Sequence, residues 1–114
     1  MRAAAAAILV PVLAGCSDPG SVVSFDSNDP AARFRATQRA AREKDPDSIK
    51  PLIQRLESDD PAERVFAIHT LEQLTGQTLG YDHAAPRPER AEAIRRWADW
   101  YARHQQDPPQ TADQ

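Results

Sequence analysis

The tripeptide Asp-Pro-Ala occurs twice in this chain, 31 residues apart, and it constrains the fold more than any other feature. Asp29-Pro30 opens the segment DPAARFRATQRAARE, and Asp60-Pro61 opens DPAERVFAIHTLEQLTG. An aspartate caps a helix by accepting backbone N–H groups, and a proline fits the first turn because the N–H it lacks has no helical partner there. An arginine four residues after each aspartate is also shared. The sequence therefore predicts an internal repeat in which each copy begins a helix.

Another amphipathic helix is predicted between the two copies. Four apolar residues there follow the i, i+3, i+4, i+7 spacing of a helix packed on a neighbour: Ile49, Leu52, Ile53 and Leu56. Asp47 or Ser48 is placed to cap this helix. In the second copy, Glu63 stands three residues after Asp60, the spacing of a capping box, and Gly76 is expected to end the helix.

The last predicted helix covers residues 88–105 and follows a loop rich in glycine and proline, Gly76–Pro88. It carries a cluster of three large aromatic residues, Trp97, Trp100 and Tyr101. Such side chains bury much apolar area per residue, so we expect the cluster to seal the end of a small helical core.

The chain opens with the pattern of a secretory signal. Met1-Arg2 is positively charged, Ala3–Ala14 is apolar but too short to span a bilayer as a helix, and small residues lead to Cys16, the only cysteine. An ordinary secretory signal cut nearby and an alanine-rich start that is never processed are the alternatives. A single cysteine excludes a disulfide within the chain.

The motif Leu13-Ala14-Gly15-Cys16 resembles the lipobox of bacterial lipoproteins. The resemblance implies that the Cys16 thiol receives a diacylglyceryl group with fatty acids such as palmitate, and that residues 1–15 are removed as a signal peptide. Residues 16–28, rich in Ser, Asp, Pro and Gly, are predicted to be a flexible tether. The implied location is the bacterial cell envelope. Ser17 slightly favours the outer over the inner membrane under the lipoprotein sorting rules, although Asp18 weakens that inference.

The helical part resembles the HEAT-repeat family of α-solenoids. The segment DDPAERVFAIHTLEQLTG carries most of the likeness, and the similarity extends from Asp29 to His104. It implies an all-α fold of two stacked helical hairpins, a short HEAT-like α-solenoid over residues 29–106, with a disordered polar tail at 107–114. Two units are fewer than solenoids usually have. A plain four-helix bundle is the rival fold.

Composition argues against several function classes. The formal net charge is −3, and removal of residues 1–15 leaves 13 basic and 17 acidic side chains, a net of −4. A chain that is acidic overall lacks the basic face that nucleic acid requires. His69, His83 and His104 have no neighbouring ligand at helical spacing, so we expect no metal site. No Gly-x-Ser-x-Gly elbow is present, and the triplet Tyr81–His83 is interpreted as turn chemistry. We therefore predict a protein that is not an enzyme and has no cofactor.

Arginines on the first and last helices are the remaining candidate site. Arg35 and Arg39 of the first helix, with Arg95 and Arg96 of the last, could bind an acidic partner peptide or an anionic glycan, since arginine forks suit carboxylates. The simpler interpretation, which we favour, is a solvated surface balanced by neighbouring acids.

Two functional hypotheses follow. The first is a lipid-anchored helical module that binds another envelope protein, with Cys16 in the membrane and these four arginines at the interface. The second is a structural accessory of the envelope that has no stable partner and self-associates weakly through its aromatic end. A fold alone does not name a partner.

Overall fold

The computed structural model describes residues 23–106. This part of the chain forms four α-helices and no strand, so the predicted all-α class is confirmed. The helices are α1 (Pro30–Glu43), α2 (Ile49–Arg55), α3 (Pro61–Thr75) and α4 (Arg87–Gln106), and a short 3-10 turn, Pro46–Ser48, leads into α2. None of these helices is long and apolar enough to cross a membrane. Cys16, the predicted signal peptide, the first part of the tether and the tail at 107–114 lie outside the described residues.

Both repeat copies begin their helices in the same way. The Asp29 carboxylate accepts the N–H of Ala31 at 3.0 Å, and the Asp60 carboxylate accepts that of Ala62 at 2.9 Å. Each aspartate has extended backbone angles, and each is followed by proline at the first helical position. The two predicted helix starts are therefore confirmed in residue and in mechanism.

The repeat extends further than the shared tripeptide indicates. Ser27 and Ser58 accept the N–H of the aspartate two residues later, each at 3.1 Å. Arg33 then donates from Nη1 to the Ser27 carbonyl at 2.7 Å, and Arg64 does the same to Ser58 at 2.9 Å. Each copy is thus a closed turn in which the arginine ties the first helical turn back to the segment before it.

Two predicted caps are wrong in detail. The Asp60 N–H is taken by Ser58, so Glu63 does not complete a capping box and instead accepts bonds from Ser58 and Arg33. The region before α2 is capped by Asp45, whose carboxylate accepts the Asp47 N–H at 2.9 Å. The Ser48 side chain makes no cap bond to α2. At α3 the upstream Ser58 takes the N–H of Asp60, whereas α2 continues directly from the 3-10 turn, whose start Asp45 caps.

Helix α3 is the central element, since it packs against both α1 and α2, while α2 also packs against α4. The start of α1 and the end of α2 meet the start of α3 at Glu63, through Arg33 and Arg55. Helices α1 and α3 therefore run in the same direction, and α2, whose end lies beside the start of α3, runs along α3 in the opposite direction. This arrangement defines two ends of the domain, the start of α3 and the end of α3.

The loop between α3 and α4 runs the length of the domain. Its Thr78 carbonyl accepts the indole N–H of Trp97 at 3.0 Å, Tyr81 reaches Leu56 at the end of α2, and the His83 carbonyl accepts Arg64 at the start of α3. Fifteen residues make α3 about 22 Å long. The ten residues 77–86 can extend to about 33 Å, which is ample for a return path.

Helix α4 therefore starts beside the start of α3. Arg87, its first residue, donates to Asp59 at 2.9 Å, and its last turns lie beside Leu74 and Thr75 at the end of α3. It runs parallel to α3, and the predicted second antiparallel hairpin is not formed. The physical reason is the loop, which is long enough and sufficiently hydrogen-bonded to carry the chain back before α4 begins.

Trp97 is the largest residue of the core and is fully buried. It packs with Leu52 of α2, with Leu56 just after α2 and with Leu71 of α3. Small alanines of α1 and α3 let the helix backbones approach each other. Trp100 and Tyr101 are only half-buried against this core. The aromatic cluster thus fills the core through one member and leaves the other two at its edge.

Part of the predicted tether lies against the domain. Phe25 packs against the hydrophobic core, and Val23, Ser24 and Phe25 together line a shallow groove beside α1.

Charged side chains meet in the region where α1, α2 and α3 converge. Glu63, whose side chain is 10% exposed, accepts from Arg33 and from the Ser58 hydroxyl, and Arg55 Nη1 lies 4.0 Å away. Burial alone would raise the pKa of Glu63. The hydrogen bonds from Arg33 and Ser58 and the two arginine charges outweigh burial and hold that pKa below its ordinary value of 4.5.

Replacement of Lys44 by glycine should stabilise the domain. Lys44 ends α1 in the left-handed region at φ 48°, where Gly76 ends α3 at φ 73°. A side chain is disfavoured there, so we expect Lys44→Gly to raise the free energy of unfolding by about 0.5–1 kcal/mol in urea titration. Gly76→Ala is the matched control, because a Cβ at Gly76 meets no atom within 4 Å and only the backbone cost remains. Equal effects of the two changes in the same direction would contradict this account.

Acid should unfold the domain through Glu63. Because the pKa of Glu63 is lowered in the folded state, its contribution is complete above about 4.5 and is lost as the pH falls through the folded-state pKa. Glu63→Gln should cost roughly 1.5–3 kcal/mol at pH 7 and flatten the dependence of stability on pH below 4.5. Glu72→Gln removes an exposed carboxyl from the same helix and is the control, because it should leave the free energy of unfolding at pH 7 nearly unchanged.

Candidate functional site

The two predicted arginines of α1 interact with acids on their own helix or its cap. Arg39 donates from Nε to Glu43 at 2.9 Å, an i,i+4 pair with both side chains more than half exposed. Arg35 Nη2 lies 3.8 Å from the Asp29 carboxylate at the N-cap. Exposed pairs of this kind add at most a few tenths of a kcal/mol. These contacts match the solvated, balanced surface that the sequence favoured for α1.

The two predicted arginines of α4 have different surroundings. Arg96 donates from Nε to the Leu79 carbonyl at 2.8 Å and lies over Gly80, where an added Cβ would be 3.0 Å from Nη2. Its visible role is to hold the loop. Arg95 is exposed and makes no hydrogen bond or ion pair with any residue between 23 and 106. The four arginines therefore do not form one surface, and only Arg95 lies in a groove with unbalanced positive charge.

That groove, which we call the basic groove, lies between the end of α2 and the first half of α4. It has a volume of about 390 Å³. Its lining consists of three arginines, one acid and three apolar residues: Arg87, Arg90, Arg95, Glu57, Leu56, Ala91 and Ile94. Leu56 belongs to the hydrophobic core and Ile94 packs against it, so the arginines stand on a rigid support.

The three arginines differ in how far the domain neutralises them. Arg87 pairs with Asp59 at 2.9 Å, but both side chains are largely exposed, and water and salt screen such a pair. Arg90 is half-buried, and its Nε is shielded from solvent without a hydrogen-bond partner among the described residues. Its charge also acts on Tyr81: burial raises the pKa of that phenol, and Arg64 and Arg90 oppose the rise. Positive charge thus exceeds negative charge in the groove.

This arrangement suits carboxylates. An arginine fork binds a carboxylate through two parallel N–H bonds, and the bond is stronger where water is partly excluded. Arg87 and Arg90 were not among the predicted site residues. Their signal was present in the sequence, because positions 87, 90, 94 and 95 follow the i, i+3, i+7, i+8 spacing of one helical face.

The triplet Tyr81–His83 has structural partners. The buried Tyr81 hydroxyl donates to the Leu56 carbonyl at 2.8 Å, the Asp82 carboxylate accepts the Ala84 N–H at 2.9 Å, and the His83 carbonyl accepts Arg64 at 3.1 Å. These bonds fix the return path of the loop. Among the described residues no three His, Cys, Asp or Glu side chains are grouped so that they could hold a metal ion.

Comparisons with protein-family models, with curated proteins and with solved structures found no match to this chain.

Tyr81→Phe should destabilise the domain, because it leaves the carbonyl of fully buried Leu56 without this donor. The expected loss is roughly 1–3 kcal/mol in the free energy of unfolding. Tyr101→Phe is the matched control, since that hydroxyl bonds no residue between 23 and 106. If urea titration gave the same loss for both, the Tyr81 bond would not fix the loop.

Proposed function

We propose that this chain is a lipid-anchored protein of the bacterial cell envelope whose helical domain binds another envelope protein through the basic groove. The observation that carries the proposal is that Arg90 and Arg95 make no ion pair with the described residues, although they stand beside apolar Leu56 and Ile94. Protein interfaces combine such an apolar centre with charged groups that fix register, and arginine is enriched in them.

The lipid anchor rests on the sequence. The apolar run, the small residues and Cys16 in the motif Leu13-Ala14-Gly15-Cys16 are what lipoprotein processing requires. The acidic remainder of the chain gives no polybasic second signal, so the acyl groups on Cys16 would hold the protein at the bilayer. The outer membrane is the favoured location because Ser17 follows the cysteine.

A HEAT-like character is proposed for the first three helices. The antiparallel packing of α2 on α3, the parallel course of α1 and α3, and the same closed turn at Ser27 and Ser58 support it. Helix α4 departs from that plan and covers the stack instead. We propose no catalytic role, because the most reactive-looking triplet, Tyr81–His83, is engaged in fixing the loop.

The alternative is self-association without a stable partner. It is favoured by aromatic surface that the domain does not cover, namely half-buried Trp100 and Tyr101 and the 43% exposed Phe66.

Charge reversal in the basic groove should release the partner. The full-length protein with a C-terminal tag is crosslinked and purified from native membranes as the parent chain and as Arg87→Glu/Arg95→Glu. We expect one protein to be recovered with the parent and reduced about tenfold with the variant, the loss typical of reversed interface charges. Arg39→Glu/Arg42→Glu on α1 makes the same change in net charge and should retain the partner.

Circular dichroism must show equal helicity for all three chains. Loss of the partner with the α1 variant alone would place the interface on α1, the helix that carries the predicted residues Arg35 and Arg39. Recovery of only the protein itself, equally in each chain, would favour self-association. Mass spectrometry of the purified protein tests the anchor separately, as a diacylglyceryl group on Cys16.

A further inference from the structure

The end of the domain opposite the basic groove carries a second groove, which we call the aromatic groove. Trp100, Tyr101 and His104 of α4 line it together with Ile49 of α2 and Leu74 of α3, and its volume is about 490 Å³. It lies at the end of α3, whereas the basic groove lies beside the start of α4 and the end of α2. The parallel course of α3 and α4 separates the two grooves along the domain.

The Trp100 ring is held in place yet accessible. It meets Trp97 edge to face with centroids 5.6 Å apart, and it stacks on His104 at 3.9 Å. The His104 ring is fixed by Nδ1, which lies 2.7 Å from the Trp100 carbonyl. Trp97 is fully buried, whereas Trp100 and Tyr101 are half-buried. Tryptophan and tyrosine with one apolar side and one polar group are the residues enriched at the membrane–water interface.

The N-terminal segment approaches the domain near this end. Val23, Ser24 and Phe25 line a shallow groove with the C-terminal half of α1 and with Asp45 and Ser48. Pro46 and Asp47, which lie between those last two residues, line the aromatic groove. The segment that leads to Cys16 therefore meets the domain beside the aromatic groove, away from the basic groove.

The link between Cys16 and the described residues is short. Cys16 precedes Val23 by seven residues, a link that reaches about 25 Å when fully extended and on the order of 15 Å as a flexible coil. A lipid on Cys16 would thus keep this end of the domain within reach of the bilayer surface, at an effective concentration on the order of millimolar.

We propose that the aromatic groove faces the bilayer that holds the Cys16 lipid and that Trp100 and Tyr101 lie in its interfacial region. The inference rests on the lipid anchor of the proposed function and goes beyond it, because it orients the domain. The basic groove then points away from this membrane, toward a partner.

Charges around the aromatic groove favour a zwitterionic surface as the ligand. The residues between α1 and α2 at this end carry charges of both signs, Lys44 and Lys50 with Asp45 and Asp47, and the groove lining itself includes Asp47 and no lysine or arginine. The balance gives no strong attraction to anionic headgroups, which usually need a cluster of basic residues. The tether and the aromatic rings therefore supply the contact.

Quenching of tryptophan fluorescence by brominated lipid tests the orientation. The full-length chain is expressed with its own N-terminal segment, purified from bacterial membranes with its acyl groups, and reconstituted into phosphatidylcholine vesicles with or without brominated acyl chains. We expect the parent chain to lose the Trp100 part of its emission in brominated vesicles. Trp100→Phe leaves buried Trp97 as the remaining tryptophan and should show no loss.

A reporter at the other end is the matched control. Ala84 is exposed in the loop near the start of α3, and its side chain takes no part in the bonds that fix the loop, so Trp100→Phe/Ala84→Trp should retain its emission in brominated vesicles. Quenching of this reporter as strong as that of Trp100 would overturn the orientation. No quenching at either position would also overturn the orientation. In that case, a partner recovered through the basic groove would still support the proposed function.

Dilution of the protein in the vesicles distinguishes lipid from a second copy of the chain as the occupant of the aromatic groove. Quenching of Trp100 should be independent of protein density if lipid covers the groove. Protection of Trp100 that grows with density would mean that a second copy covers it, and the proposal would be wrong. An unmodified Cys16 in mass spectrometry would overturn both the anchor and the orientation.

Discussion

The carboxylate of Glu63 is the group on which the arrangement of the first three helices depends. It lies where the start of α1, the end of α2 and the start of α3 meet, and it accepts from Arg33 and Ser58 with Arg55 beside it. A buried charge is tolerated only when its partners are in place, and loss of one partner leaves the other uncompensated. The contact therefore ties the two repeat copies together, because the arginine of the first copy bonds an acid in the first helical turn of the second. Because the pKa of Glu63 is lowered by these contacts, the stability of the domain is sensitive to acid.

The loop after α3 decides what the rest of the chain can do. It returns along the domain through bonds to Trp97, Arg96 and Arg64, so α4 starts beside the start of α3 and covers the core with Trp97. If α4 ran antiparallel to α3, its arginines would lie beside the end of α3 and its aromatic residues beside the start of α3. The observed direction puts the arginines of its first half at one end and the aromatic residues of its second half at the other.

These two ends suit different neighbours, and together they give a coherent picture of an anchored module. The basic groove combines unbalanced positive charge with apolar residues, and this combination suits a partner protein with exposed carboxylates. Half-buried tryptophan and tyrosine beside the entry of a short N-terminal link suit a lipid interface. In the arrangement that we propose, the end of α4 would contact the membrane and its start would present a binding surface.

The amino-acid sequence by itself determined the helices and the starts of α1 and α3, because Asp-Pro capping, apolar spacing and the glycine stop act within a few residues along the chain. It also contained the repeat and, in the spacing of residues 87, 90 and 95, the face of the basic groove. Only the tertiary structure decided the direction of α4, the separation of Arg35 and Arg39 from Arg95, and the partner of Glu63. Those outcomes depend on contacts between residues far apart in the chain, such as Arg33 with Glu63 and Tyr81 with Leu56. Local spacing cannot indicate whether a ten-residue loop turns back at once or follows the domain to its other end. The loop is held through its backbone carbonyl groups, and because every sequence has these groups, they leave no signal in the pattern of side chains.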